Sequence, residues 1–317
     1  MPIKALARLE TKVNSEWVST YRDKLLTACQ AEIKPKSQPP DVVYHLTDSD
    51  ALLSIVGSRC LRASLVTTLN DSLEVRYGID LAVRLLQEQL KSQASFYDFT
   101  LLQYLRDPSS APKEFQFEFA PFVVSFCGRP EKSGQWLHYG RSGHGVAIGF
   151  SSSIAKAVRY DLFQVDYTPK SQEERILRLF RTGASVIEAH GQRSDKKEQA
   201  VVVAMTAHLI SLYTRILAVG LKHPSFSDED EWRMVAHGIS YNGKSLENGF
   251  ESREVMFRTS CERIVPYEEL NFGSSESGSI KEVILGYSSA LSVEAIRLLT
   301  LKYGDDVLVS RSEVPVR

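Results

Sequence analysis

Strand-like and helix-like stretches in this chain are grouped, not alternated, and that grouping excludes most α/β architectures. Short β-branched or aromatic runs at residues 42–45, 60–63, 122–126, 145–150 and 163–167 lie between Gly, Pro and Ser clusters. Helical patterning then takes over across residues 171–221, divided near Gly191, Gln192 and Arg193. Strand-like runs resume at 231–235, 254–257, 264–265 and 282–285, before a helix over 293–303 and a last strand at 307–310. A doubly wound sheet needs a helix between successive strands, so this order predicts an α+β fold with a helical insertion at about 171–221.

The N-terminal part has its own logic. Leu6, Leu9, Val13, Trp17, Tyr21 and Leu25 recur at three- and four-residue steps, the signature of one apolar helical face. Pro35, Pro39 and Pro40 then forbid a continuing helix, which assigns residues 1–40 to an amphipathic helix and a Pro-rich linker and 41–317 to a single domain. Within that domain Thr47 and Asp50 suggest a capped helix ending at Gly57, and Asp71 and Glu74 have capping-box spacing before a helix towards Leu90. Another helix is expected over 96–105.

Composition narrows the function classes. With 43% hydrophobic and 24% charged residues the chain has the make-up of a packed domain, not of a disordered or coiled-coil protein. A formal charge of -1 supplies no overall field to recruit nucleic acid or anionic lipid. Cys29, Cys60, Cys127 and Cys261 are far apart and form no CxxC, so they read as reduced thiols of a cytoplasmic protein. The opening MPIKALARLETK lacks an apolar h-region, and the apolar stretch 200–213 is short and carries Thr206 and His208, so neither a signal peptide nor a membrane span is expected.

Three places carry candidate chemistry. His45 ends a short strand beside a turn, a good position for a ligand contact, although a histidine satisfied by backbone groups explains it equally well. In VSFCGRPEKSGQWLHYGRSGHGVAIGF, Ser125 and Cys127 share a strand face and Trp136, His138 and Tyr139 follow; such rings can stack on a flat heterocycle or simply anchor a core. Gly143, Gly145 and Gly149 run into a strand, where a dinucleotide fingerprint needs a helix, and the Walker, HExxH and GxSxG patterns are absent. In DEDEWRMVA a strand would point Glu229, Glu231 and Arg233 one way and Trp232, Met234 and Ala236 into the core. Paired carboxylates can hold a ribose and stabilise an oxocarbenium ion, with repulsion raising one pKa; the alternative is a solvated acidic turn.

Taken in order, YHLTDSDALLSIVGSRCLRASLVTTLNDSLE, the Ser125 to Phe150 segment, DEDEWR and the C-terminal VILGYSSALSVEAIRLLTLKYGDDVLVSRSEVPVR resemble the bacterial domain-of-unknown-function family 2971, from Val42 onwards. The matching positions are Tyr44 and His45, Asn70, Asp71 and Glu74, Ser125 and Phe126, Trp136 and Tyr139, Gly145 and Val146, Glu231 and Arg233, and Ser312 with Pro315. Ser72, Leu73 and Val314 depart from that pattern.

A second resemblance is to ADP-ribosyltransferases, through the succession of a first-strand His, a middle-strand Ser with nearby aromatics and a late-strand Glu. It implies a mixed or split antiparallel-rich sheet with NAD bound as substrate in the cleft. It further implies that His45 contacts the adenosine ribose, Ser125 and Tyr139 or Trp136 line the nicotinamide end, and Glu231, with Glu229 completing a Glu-x-Glu pair, holds the nicotinamide ribose. The acceptor would be a protein or nucleic acid, in the manner of a bacterial toxin or anti-phage effector, with no metal in the site. Two rivals remain: a metal-dependent nuclease using Asp71, Glu74, Asp166, Glu229 or Glu231 as oxygen ligands, and a non-catalytic module presenting the N-terminal helix or the helical insertion to a partner protein.

Overall fold

A computed structural model describes residues 16–33, 37–68, 73–92, 94–110, 121–158, 160–236, 254–260, 263–273 and 279–315. Leu6, Leu9, Val13, Asn70, Asp71 and Cys261, with the apolar-face, capping and ligand roles expected of them, lie outside the described residues, as does the side chain of Glu74.

The first half runs α1 (Glu16–Ile33), β1 (Val42–Thr47), α2 (Ser49–Ser58), β2 (Cys60–Leu65), α3 (Leu73–Ser92), α4 (Phe96–Arg106), β3 (Phe122–Cys127), α5 (Ser133–His138) and β4 (Val146–Ser151). Then follow α6 (Ile154–Ala157), β5 (Asp161–Gln164), α7 (Pro169–His190), α8 (Lys196–Ala218), β6 (Glu231–Ala236), β7 (Met256–Ser260), β8 (Arg263–Asn271), β9 (Ile280–Leu285), α9 (Val293–Lys302) and β10 (Leu308–Arg311). The strands form one open, mixed sheet in which β9 and β10 are parallel and the other pairs antiparallel.

The sheet forks at β3. Strand β6 pairs along the whole of β3, from Phe122 opposite Ala236 to Cys127 opposite Glu231, and so occupies one edge. The other edge is shared: β2 pairs with Phe122 and Val123, β1 meets it at Cys127, and the ladder skips Val124, Ser125 and Phe126. One arm continues β1, β4, β9, β10 and the other β2, β8, β7. A backbone carbonyl left in such a gap must find another donor; His45 supplies it, its Nδ1 lying 3.0 Å from Ser125 O.

One sheet face packs Val43, Leu61, Val124, Phe126, Ile148, Phe150 and Trp232 against Leu52, Ile55 and Val56 of α2, Ile154 of α6 and Ile296 of α9. Each such fully buried aliphatic or Phe side chain contributes about 1.5–3 kcal/mol. A second core belongs to the helices alone, with Tyr21 and Leu25 of α1, Leu86 of α3, Leu101 of α4, Phe180 of α7 and Ile210 of α8 buried together. The apolar faces of α1 and of the 171–221 helices are therefore turned on one another and on α3 and α4. Helix α8 is long and apolar enough to cross a membrane, but most of that stretch is buried in this helical core. Val66, Val123, Val219 and Val235 join the two layers.

Several local expectations shift. The cap of α2 is Asp48, which accepts from Ala51 N, and the helix runs past Gly57 to a left-handed Arg59 at φ 57°. Helix α4 has a full capping box between Ser95 and Asp98. The strand expected at 163–167 is β5, two residues earlier, followed by a single bridge from Asp166 to Leu221.

Candidate functional site at the fork of the sheet

A cavity of about 410 Å³ opens where β1 and β2 separate, within the usual ~300–1,000 Å³ of small-molecule sites. Residues 44–47 of β1 form one wall, Cys60, Arg62 and Ser64 of β2 the other, and residues 123–127 of β3 the floor. Lys222, Phe226, Glu229, Glu231 and Arg233 close it from the β6 side, and Gln135 and Tyr139 from α5. Of the residues singled out from sequence, His45, Ser125, Tyr139, Glu229 and Glu231 all line this one space.

Trp136 does not. It is fully buried beside Ala147 and Ile284, its ring edge-on to Tyr287, and its indole Nε1 has no partner among the described residues. Gly140 lets the chain pass over it: a Cβ there would lie 2.5 Å from the indole Cε3. The stacking role expected of Trp136 is thus corrected to a core role, because one face of the short helix α5 is turned inward while Tyr139, the residue capping its end, stays 43% exposed.

The two glutamates arrive differently from the continuous strand expected. Only Glu231 is in β6; Glu229 ends a 3-10 turn, Pro224–Glu229, and Asp230 reverses the chain in the left-handed region at φ 46°. That conformation is tolerated by Asp better than by most residues. Gln135 donates its side-chain amide to Glu229 O, and Lys132 donates to Asp228 O at 2.8 Å, so α5 holds the turn in place.

Glu231 is buried and bidentate with Arg233, Nε to Oε1 and Nη2 to Oε2 both at 2.8 Å, while Arg233 Nη1 donates to Val219 O at 2.7 Å. Lys222 Nζ lies 2.5 Å from Glu229 Oε2 and 3.4 Å from Glu231 Oε2. Two carboxylates and two cations thus balance in the buried cluster, which is how buried charge is tolerated. The expectation that repulsion raises one carboxylate is overturned for Glu231: burial acts to raise it, but Arg233, Lys222 and the Ser125 hydroxyl outweigh that and hold it low. Glu231 is an ionised anchor and no proton donor.

Glu229 keeps a more open side chain, 20% exposed, with Tyr139 Oη donating to Oε1 at 3.1 Å. Burial first, then the neighbouring Glu229 charge, pushes the Tyr139 phenol up, so it remains a hydroxyl donor at neutral pH. Tyr167 Oη accepts from Glu231 N at 3.2 Å. At the gap, Ser125 O can only accept, so the His45 proton is on Nδ1; burial pushes its pKa down, leaving Nε2 as a neutral acceptor.

Lys222, Gln135, Tyr167, Arg62 and Arg258 are site residues that sequence reasoning passed over. Gln135 stands next to Trp136 in the aromatic segment and was within reach of it; Lys222 has no motif and is placed by the Asp166 to Leu221 bridge. Asp166, offered above as a metal ligand, instead accepts from Thr168 N and Ser171 Oγ at the start of α7 and pairs with Arg175. Among the described residues no three of His, Cys, Asp and Glu gather as a metal-ligand group.

Neither a curated protein nor a solved structure is significantly similar to the chain. The matching family is the one described as "Protein of unknown function (DUF2971)", whose sequence model covers residues 135–234, from Gln135 through Tyr139, Lys222, Glu229, Glu231 and Arg233 but short of His45 and Ser125.

Proposed function

We propose that the cavity binds NAD as a substrate and that the protein breaks its nicotinamide–ribose bond, as an ADP-ribosyltransferase or NAD glycohydrolase. The observation that carries this reading is the convergence of His45, Ser125, Tyr139, Glu229 and Glu231 on one cavity at a forked sheet. The neutral Nε2 of His45 accepts from a ribose hydroxyl, and the Glu229 carboxylate faces the sugar on which positive charge develops. The C1′–N bond breaks with both electrons leaving on nicotinamide, which becomes neutral. Water or an acceptor hydroxyl then adds to C1′ and gives its proton to Glu229. Glu231 acts through others: it fixes Lys222 and Arg233, and Lys222 with Tyr139 fixes Glu229.

The acceptor, protein or nucleic acid, approaches from the open mouth; an activity of this type suits a toxin or anti-phage effector. The test is incubation with NAD, with and without cell lysate, scored as nicotinamide release and as label transferred from the adenylate of NAD. Release in buffer alone indicates hydrolysis, and label in lysate macromolecules indicates transfer; absence of both refutes the reading. Of the carboxylates of the nuclease alternative, Asp166 is engaged at the start of α7, and Asp71 and the Glu74 side chain lie outside the described residues.

A further inference from the structure

Once Glu229 and Glu231 are set against Lys222 and Arg233, the cavity still holds Arg62 and Arg258, both from the arm of the sheet beyond the fork. Arg62 shares a face of β2 with Ser64, and its carboxylate partner, Glu269, is 3.7 Å away with both side chains well exposed. Such a contact contributes little and is easily exchanged. Arg258 reaches from β7 across β8 to put Nη2 3.2 Å from Ser64 Oγ, and its buried Nε has no partner among the described residues. A guanidinium held in place by a hydroxyl, with a buried N–H still to satisfy, has an uncompensated desolvation cost that an anion would relieve. The Ser64 hydroxyl accepts from Arg258, and its own proton has no acceptor among the described residues.

From this we propose that Arg258, Arg62 and Ser64 form a subsite for a phosphate-type anion at the β2–β7 end of the cavity, on the opposite side of the fork from β1 and α5. It rests on the proposed function for one point only, that the anion is the diphosphate of a dinucleotide whose sugar ends reach His45 and Glu229. Planar, bidentate recognition suits phosphate oxygens, and an Arg-to-Lys exchange does not preserve it.

The test is calorimetric binding of inorganic pyrophosphate, ADP and adenosine to the full chain and to Arg258→Gln, Arg258→Lys and Arg62→Gln, with Arg84→Gln on the helical layer as the control. Binding of ADP and pyrophosphate that weakens about ten-fold or more in both Arg258 variants, and weakens with salt, supports the subsite. A folded Arg258→Gln that binds ADP like the wild type, or adenosine binding as tightly as ADP, overturns it. ADP favoured over pyrophosphate assigns the anion to a nucleotide; pyrophosphate alone assigns the same subsite to a free phosphate anion. Nicotinamide release with an unchanged KM for NAD in Arg258→Gln refutes the subsite and leaves the proposed function standing. Arg258-dependent ADP binding without nicotinamide release does the reverse.

Discussion

Replacing Glu231 by Gln keeps the shape of the side chain and removes one charge from a buried cluster of four. Arg233 is 1% exposed and donates two 2.8 Å hydrogen bonds to that carboxylate, so the substitution leaves it charged and buried with its ion pair lost, while Nη1 still donates to Val219 O. Removing one partner of a buried pair costs about 3–5 kcal/mol. For a chain of 317 residues the unfolding entropy is on the order of 0.7 kcal/mol per degree, so the midpoint should fall about 4–7 °C. Glu229→Gln is the internal comparison: its carboxylate is 20% exposed and Lys222 retains Glu231, so the shift should stay under about 2 °C. Pairing Glu231→Gln with Arg233→Met removes the buried charge whose ion pair is lost and should recover at least half the loss. Differential scanning fluorimetry of the four proteins reads all of this. An unchanged midpoint in Glu231→Gln, or a larger loss in Glu229→Gln, would refute the assignment of anchor and exposed carboxylate. Because the folded Glu231 pKa is held low, its contribution is present above the unfolded value of about 4.3 and fades as pH falls through the folded one.

Other consequences follow from burial. Gly78→Ala should lower stability by about 1–3 kcal/mol despite its better helix propensity, because the added Cβ would sit 2.7 Å from Ala218 Cβ where α3 crosses α8; chemical denaturation measures it. Burial and then Arg215 lower His208 to about 4, so the unfolded chain takes up a proton first and stability drops as pH falls from about 6.5 towards 4. His208→Gln should flatten that part of a stability–pH curve; a curve of unchanged slope argues against it. Cys29 and Cys127 are buried and pushed up to about 12, so maleimide should label Cys60 before either of them in native protein, as peptide mass mapping would report.

The sheet was legible where short alternating runs sit between turn residues: β1, β3, β4 and β6 start within a residue of where the pattern puts them. β8 was read as two residues and is nine, because Pro266 and the charged pair Glu268 and Glu269 break the apolar pattern. The structure explains the tolerance: residues 263–266 pair only with β7, and β2 joins from Tyr267 onwards, so Pro266 lacks a donor on a side that needs none. Periodicity identified an amphipathic α1 but not its partner, since an apolar stripe specifies burial and not against what. In the site, His45, Ser125, Tyr139, Glu229 and Glu231 were found as polar or aromatic residues in strand-rich surroundings. Trp136 was assigned to the wrong side of α5, because a six-residue helix, under two turns, is too short to show a periodicity from which to choose a face. Lys222 and Arg258 are brought in by tertiary pairing alone, from the end of α8 and from across β8. The fork itself, made by two strands sharing one edge of β3, is a property of register that no local pattern encodes.

In the proposed reaction Glu229 faces a sugar losing nicotinamide. Nicotinamide release from NAD by the wild-type protein and by Glu229→Gln, compared at matched folded concentration, tests it most directly. The wild type should release nicotinamide, and kcat should fall about 100-fold or more in the variant, with its midpoint within about 2 °C. Release that survives Glu229→Gln undiminished, or a folded wild type that neither releases nicotinamide nor is stabilised by NAD, would contradict it.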